Sequence, residues 1–360
     1  MSKQQRGNFF EDFRLGQVLQ HGTPRTVTEG DAALYIALTG SRYPLHCAQP
    51  VAAGMGLKGQ TIDDLLAFHI AFGKTVADVS FNAVANLGYA DMRFTRPVYP
   101  GDTLRSESRV IGLKENSNGS NGNVYVRSSA FNQDGDQVLT WARWVMVHKR
   151  DPAASAPEAV VPELPDHVAA ADLPIPPGLD AAAYDTRVTG SPHLWEDYTP
   201  GERIDHVNGM TVDESDHTLA TKLYQNNARL HFEEHMMKPS RFGRRLMYGG
   251  HVISICRALS FNGLANALSI AAINGGAHCN PAFAGDTFYA CSEVLDRWPL
   301  PGRSDLGALR LRTLGIKNQQ SEEVAEPMVE VDGRRRYHEN VVLDLDYTVL
   351  IPRRPPGRTA

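Results

Sequence analysis

The spacing of apolar and polar positions runs through the same order twice along this chain. FEDF (residues 10–13) leads into a turn at Gly16, and WEDY (residues 195–198) leads into one at Gly201. A strand-like stretch follows each. Then come TVTEGD (residues 26–31) and TVDESD (residues 211–216), whose Thr, Asp and Glu supply N-cap chemistry for a helix. The next segments, residues 61–73 and 251–264, keep helical spacing, with Ile253, Cys256, Leu259 and Phe261 marking the second. Each is predicted to be the one long, buried helix of its half, the second entered through Gly249 and Gly250. After it come only strand signals. MRFTRPVYPGDTL breaks at Pro97 and Pro100, and residues 123–149 alternate on either side of Asp134-Gly135, the pattern of a hairpin. ALRLRTLGIKNQ and NVVLDLDYTVLIP fill those places in the second half. One helix wrapped by four or five antiparallel strands, twice over, predicts an α+β fold.

The repetition extends to residue identity. At a constant offset of 185, Gly16, His21, Glu29, Asp31 and His46 fall on Gly201, His206, Glu214, Asp216 and His231. At an offset of 184, PVYPGDT (residues 97–103) falls on PAFAGDT (residues 281–287), four of the seven identical. The chain is therefore a duplication. Residues 151–180 hold seven prolines, seven alanines and neither Lys nor Arg, a composition that builds a connector rather than a core. The connector is long enough to pack across a domain face. The resulting division is 1–150, a connector over 151–193, and 194–360.

Composition narrows the function. Lys and Arg total 36 against 41 Asp and Glu, so the net charge of −5 argues against nucleic acid as a partner. No apolar run is long enough to span a bilayer and no secretory signal is visible, which points to a cytoplasmic protein with no membrane partner. Cys47, Cys256, Cys279 and Cys291 are scattered without a CxxC pair and read as reduced thiols. His217 and His278 have no neighbour at metal-ligand spacing, and there is no phosphate loop, dinucleotide fingerprint or GxSxG elbow, so neither metal nor nucleotide cofactor is expected.

The Leu-His dipeptides, the Gly-entered helix, the P-V-x-x-G-D-T junction and the terminal hairpin together resemble the MaoC-type hot-dog hydratases, the R-specific enoyl-CoA hydratases of type 2, in their duplicated, double hot-dog form. Residues 223–235 and 245–254 are most similar to the branch acting on mesaconyl-CoA. That resemblance implies an active-site His with an Asp five residues before it, the two sharing one water. The His is kept twice, as His46 and His231, but the Asp position holds Ser41 or Asn226. An amide orients water yet takes no proton, so His231 is expected to be the base with Asn226 beside it. Glu233, two residues on, is a substitute carboxylate if the segment is extended. His46 lacks both an acid–base companion and the GlyGly helix entry, which assigns the living site to the second half. The family places a thioester oxyanion contact at the position of Gly250, where free helix N–H groups carry partial positive charge. Gly249 beside it allows close approach, and His251 reads as structural.

The expected substrate carries a free carboxylate that needs a cation. Arg229, two residues before His231, is the first candidate if the segment alternates, with Arg241, Arg244 and Arg245 behind it for carboxylate or CoA phosphate. Asp102 and Asp286 are expected only to cap turns. The expectation is a hydro-lyase adding water to mesaconyl-CoA to give β-methylmalyl-CoA without metal or redox cofactor, in a chain that forms a homo-oligomer. The alternatives are a hydratase for plain acyl chains, a hot-dog thioesterase and a non-catalytic acyl-CoA binder.

Overall fold

The computed structural model describes residues 3–355. The first half supplies β1 (Val18–Thr26), β2 (Ala83–Phe94), β3 (Thr103–Glu115), β4 (Asn121–Phe131) and β5 (Gln137–His148). The second supplies β6 (Arg203–Thr211), β7 (Ser269–His278), β8 (Thr287–Pro299) and β9 (Leu306–Lys317). A small separate hairpin, β10 (Met328–Val331) with β11 (Arg334–Tyr337), precedes β12 (Val341–Pro352). The other ten strands form one antiparallel sheet in the order β1-β3-β4-β5-β2-β7-β12-β9-β8-β6. The halves join where β2 pairs with β7, from Tyr89 opposite Gly276 to Arg93 opposite Ala272. This is the duplicated α+β hot-dog architecture, five strands to each half.

Each half wraps its strands on a central helix, Asp64–Thr75 in the first and Gly249–Leu259 in the second. Both helices are apolar on nearly every side and buried almost throughout, as a helix surrounded by protein must be. They meet each other through His69 Nε2 and the Ser254 hydroxyl at 2.8 Å. The first runs two residues beyond the predicted end, because Gly73 stays helical and its missing side chain admits the Tyr224 carbonyl. The second stops at Leu259 instead of Leu264: Gly263 takes φ 103°, a left-handed value that glycine tolerates. The long helix of each half also has a companion of similar length, Glu29–Thr39 and Glu214–Leu223. Thr28 and Asp31 cap the first of these reciprocally, and Gly40 ends it at φ 67°.

The connector packs. Val160 bridges to Leu113, and Val168, Leu173, Leu179 and Ala181 are buried against Leu45 and Met55 of the first half and Leu268, Leu306 and Leu350 of the second. Asp102 and Asp286 accept the Tyr99 and Phe283 N–H groups at 2.8 and 2.9 Å, closing the two GDT turns. The repeated His21 and His206 are also structural, held by Asp78 and Ser108 in one half and by the Asn262 carbonyl and Ser292 in the other. Among the described residues no helix is long and apolar enough to cross a membrane.

Candidate active site

His231 sits on a single helical turn, Arg229–Phe232, that follows the buried Asn226. Its Nδ1–H donates to the Leu246 carbonyl at 3.0 Å, and the Leu246 N–H donates to the Leu230 carbonyl at 2.9 Å. This pair of bonds clamps the turn to the approach of the central helix and fixes the tautomer, leaving Nε2 as a lone pair. The ring borders a cavity of about 350 Å³ and is otherwise enclosed. Burial pushes its pKa down to about 4; the Leu246 carbonyl pulls it up, and His217 and His278 add to the lowering. The imidazole is thus neutral at physiological pH.

Asn226 borders the same cavity. Its Oδ1 accepts the Ala228 N–H at 3.1 Å, so Nδ2 is left as a donor. Opposite lies the start of the second central helix. Tyr248 precedes it without a side-chain cap, so the first-turn N–H groups are not taken by a capping oxygen. Gly249 forms the cavity wall there; Gly250, to which the family resemblance assigns the oxyanion contact, is buried one residue deeper. A Cβ on Gly249 would stand 2.5 Å from the His278 imidazole, and one on Gly250 would meet the Tyr248 ring. A side chain at either position would force the His278 or Tyr248 ring to move.

The cavity is shared between the halves. Phe72, Val76, Tyr89 and Arg143 from the first half face Asn226, His231, Tyr248 and His278 from the second. Sequence reasoning missed the first-half contribution altogether. Arg143 on β5 is fully buried, with its guanidinium 4.2 Å above the Phe72 ring and Nη2 donating to the Thr75 hydroxyl at 2.7 Å. A charged residue in the middle of an apolar strand (QVLTWARWVMVH) was the signal available for it. His278, weighed only as a metal ligand, ends β7 beside Gly249 and approaches the Tyr89 hydroxyl at 3.3 Å.

Three expectations are corrected. Arg229 is exposed, lies over the Phe81 ring at 4.4 Å and does not border the cavity. Because the segment is a helical turn, positions two apart point about 200° from each other rather than to one side. Glu233 is exposed for the same reason and supplies no carboxylate to His231. Arg245 is paired with Glu214 and Glu234 and bonded to the Thr218 hydroxyl, which commits its charge to the protein. Arg241 does border the cavity, exposed at its mouth over Phe242, while Arg244 lies nearby over Phe283 at 4.2 Å. His251 is wholly buried, bonded to the Tyr224 hydroxyl at 3.0 Å.

The matching place in the first half is closed. His46 Nδ1 is bonded to the Thr61 hydroxyl at 2.8 Å, and its Nε2 is 3.6 Å from Asp64. Burial lowers its pKa, but Asp63 and Asp64 outweigh that and the net shift is upward. Asp63 caps the first central helix through the Leu65 N–H at 3.0 Å, and Ser41 donates to Asp63 at 3.3 Å. Two carboxylates thus stand where an oxyanion would have to form, and the space beside His46 is only about 20 Å³.

A duplicated hot-dog with one open His site and one filled one defines a MaoC-like double hot-dog protein. The crystal structure of a MaoC domain protein dehydratase from Chloroflexus aurantiacus superposes with a TM-score of 0.94 at 57% identity, covering 98% of this chain and all of that one. A Mycobacterium tuberculosis protein described as having a double hotdog fold, 24% identical with a TM-score of 0.73 and covering 96% and 98% of the two chains, shares the fold. The chain belongs to the mesaconyl-CoA hydratase family, whose pattern matches residues 1–328. It is 58% identical over 348 residues to the β-methylmalyl-CoA dehydratase of Chloroflexus aurantiacus, covering 97% of this chain and 98% of that protein. It is also 55% identical over 349 residues to the mesaconyl-CoA hydratase of Cereibacter sphaeroides, covering 96% and 98%.

Proposed function

We propose that this chain adds water reversibly across the double bond of mesaconyl-CoA to give β-methylmalyl-CoA. The observation that carries the chemistry is the neutral His231, with Nδ1 locked to Leu246 and Nε2 free, facing an uncapped helix start across one cavity. Nε2 takes a proton from a water held by the Asn226 Nδ2 donor. The resulting hydroxide bonds to the β-carbon, and the π electrons of the C=C bond move onto the thioester, forming an enolate. The N–H groups at Gly249 and the helix dipole stabilise that oxyanion. His231 then returns its proton to the α-carbon, so one water is consumed and the base is regenerated. The thioester itself acidifies the α-carbon, so the reaction requires no metal or redox group.

The exposed Arg241 at the mouth, with Arg244 nearby, suits the phosphates of CoA. Because one chain supplies both walls, catalysis needs no second copy, and a homo-oligomer would form through other faces. A CoA thioester substrate supports a cytoplasmic site of action. The test follows enoyl-thioester absorbance on mesaconyl-CoA and crotonyl-CoA, with a thiol reagent in parallel. Loss of absorbance on mesaconyl-CoA without thiol release is expected. Thiol release would make the chain a thioesterase, and a preference for crotonyl-CoA would make it a plain-chain hydratase.

A further inference from the structure

Arg143 is an arginine with no counter-ion in the interior of the protein. None of its surface is exposed, and no Asp or Glu among the described residues lies within salt-bridge distance. Its Nη2 is bonded to Thr75, but Nε and Nη1 are buried without any hydrogen-bond partner. Burying an unpaired charge and orphaned donors is among the costliest arrangements a fold can carry. The side chain is nevertheless fixed from several directions. Phe72 lies under the guanidinium at 4.2 Å, Thr75 holds one nitrogen, and Tyr89 stands directly across the strand pair. It lines the cavity with two donors unused.

The duplication shows that the sheet does not require it. Tyr89 and Ile273 are related by the same offset of 184 that relates the two GDT turns, and their partners across the sheet are Arg143 and Tyr347. An uncharged, buried Tyr347 fills the equivalent register position in the second half. The cation is found at this register in the first half alone.

We propose that Arg143 is the receptor for the free carboxylate of the acyl group, and so the residue that selects a dicarboxylic acyl-CoA over a plain one. This rests on the mesaconyl-CoA reading above. The two ends of the acyl unit then meet opposite charges: the thioester oxygen goes to the start of the second central helix, and the distal carboxylate goes to Arg143. In mesaconyl-CoA that carboxylate is attached to the β-carbon, the atom hydroxide attacks. Pairing it with the guanidinium removes the charge that would repel an incoming anion. The first half, without a working histidine, thus sets the specificity of the second.

The experiment measures binding of two saturated analogues, methylsuccinyl-CoA and 2-methylbutyryl-CoA, which differ only by carboxylate against methyl, to wild type, Arg143→Met and Arg143→Lys, beside mesaconyl-CoA turnover. Wild type should favour methylsuccinyl-CoA about 100- to 1,000-fold, the scale of a buried charge pair. Arg143→Met should bring the two affinities within a few-fold of each other by weakening only the dicarboxylic one, and Arg143→Lys should recover part of the preference. An unchanged preference in either variant, or equal weakening of both analogues, would overturn the assignment. Should Arg143→Met not fold, the Lys variant decides alone, since a lost bidentate donor set must still cost about tenfold in the preference. Wild type that discriminates between the analogues but leaves mesaconyl-CoA untouched would overturn the function and leave Arg143 as a carboxylate receptor.

Discussion

His231 and Leu246 are joined by an imidazole-to-carbonyl hydrogen bond of 3.0 Å that leaves Nε2 as the ring nitrogen free of the backbone. With Nδ1 spent on the backbone, only Nε2 is available to water. His231→Ala should therefore lower kcat/KM on mesaconyl-CoA at least 1,000-fold, the range of a lost general base with its orienting contacts. His46→Ala should leave kcat within a few-fold and instead lower Tm, because His46 is tied to Thr61 and lies beside Asp64. Parallel steady-state and melting measurements decide it, and equal activity losses would end the one-site account.

Asn226 stands where related enzymes are expected to carry Asp, so Asn226→Asp restores a carboxylate beside the imidazole. An adjacent negative charge favours imidazolium and raises the His231 pKa from its buried value near 4. In the present protein the acid limb of kcat/KM should lie near pH 4, with activity lost as pH falls through it. In the variant the limb should move up by a unit or more. Identical pH profiles for the two proteins would separate Asn226 from His231.

Stability should respond to the same burial. His206, His231 and His278 are held down to about 4 and His251 to about 3, all chiefly by desolvation. Folded pKa values below the unfolded ones mean that the unfolded chain binds more protons as acid is added. Stability is therefore complete above about pH 6.5 and is lost as pH falls through the folded values. Each group contributes roughly 1.4 kcal/mol per pH unit inside that window. His46, shifted upward, works in the opposite direction as a single group. Tm should fall steeply between pH 6 and 4 at constant ionic strength; a flat profile there would contradict neutral buried histidines.

At the cavity mouth, Arg241→Ala should raise KM for the CoA ester several-fold with kcat nearly unchanged, an effect that shrinks at high salt. Arg245→Ala should lower Tm instead, since its charge is spent on Glu214 and Glu234. Arg229→Leu should change neither the KM for mesaconyl-CoA nor its advantage over crotonyl-CoA. A selective loss with Arg229→Leu would return the carboxylate role to that residue.

The periodicity carried the architecture, because the wrapped helices keep helical spacing and strands such as β3 and β4 alternate. The duplication singled out His231 and Asn226, since a repeat preserves position, and the structure brings the two to one cavity. Contacts within the 229–233 segment were not legible: whether Arg229 and Glu233 share a side with His231 turns on one short helical turn, too brief for periodicity to reveal. Arg143 was hidden for a different reason. It lies 88 residues before His231 in the other half, and only the pairing of β2 with β7 brings the two to one cavity. Likewise, no spacing ties Asp63 and Asp64 to His46 until the helix start folds against it.

Gly249 offers the sharpest test of the helix start. A methyl group there would stand 2.5 Å from His278, inside van der Waals contact, so either His278 or the first turn must move. Overpacking of this kind costs about 1–3 kcal/mol and should show as a lower Tm in Gly249→Ala. The N–H groups proposed to receive the thioester oxygen would shift with the turn, and oxyanion contacts are worth about 100- to 1,000-fold in kcat. Gly249→Ala should therefore lose kcat by that factor while keeping saturable binding of methylsuccinyl-CoA through Arg143 and the mouth. If kcat holds while Tm alone falls, the oxyanion is stabilised elsewhere in the cavity. Combining Gly249→Ala with His278→Ala removes the clash, so recovery of both Tm and kcat would locate the damage in that one contact.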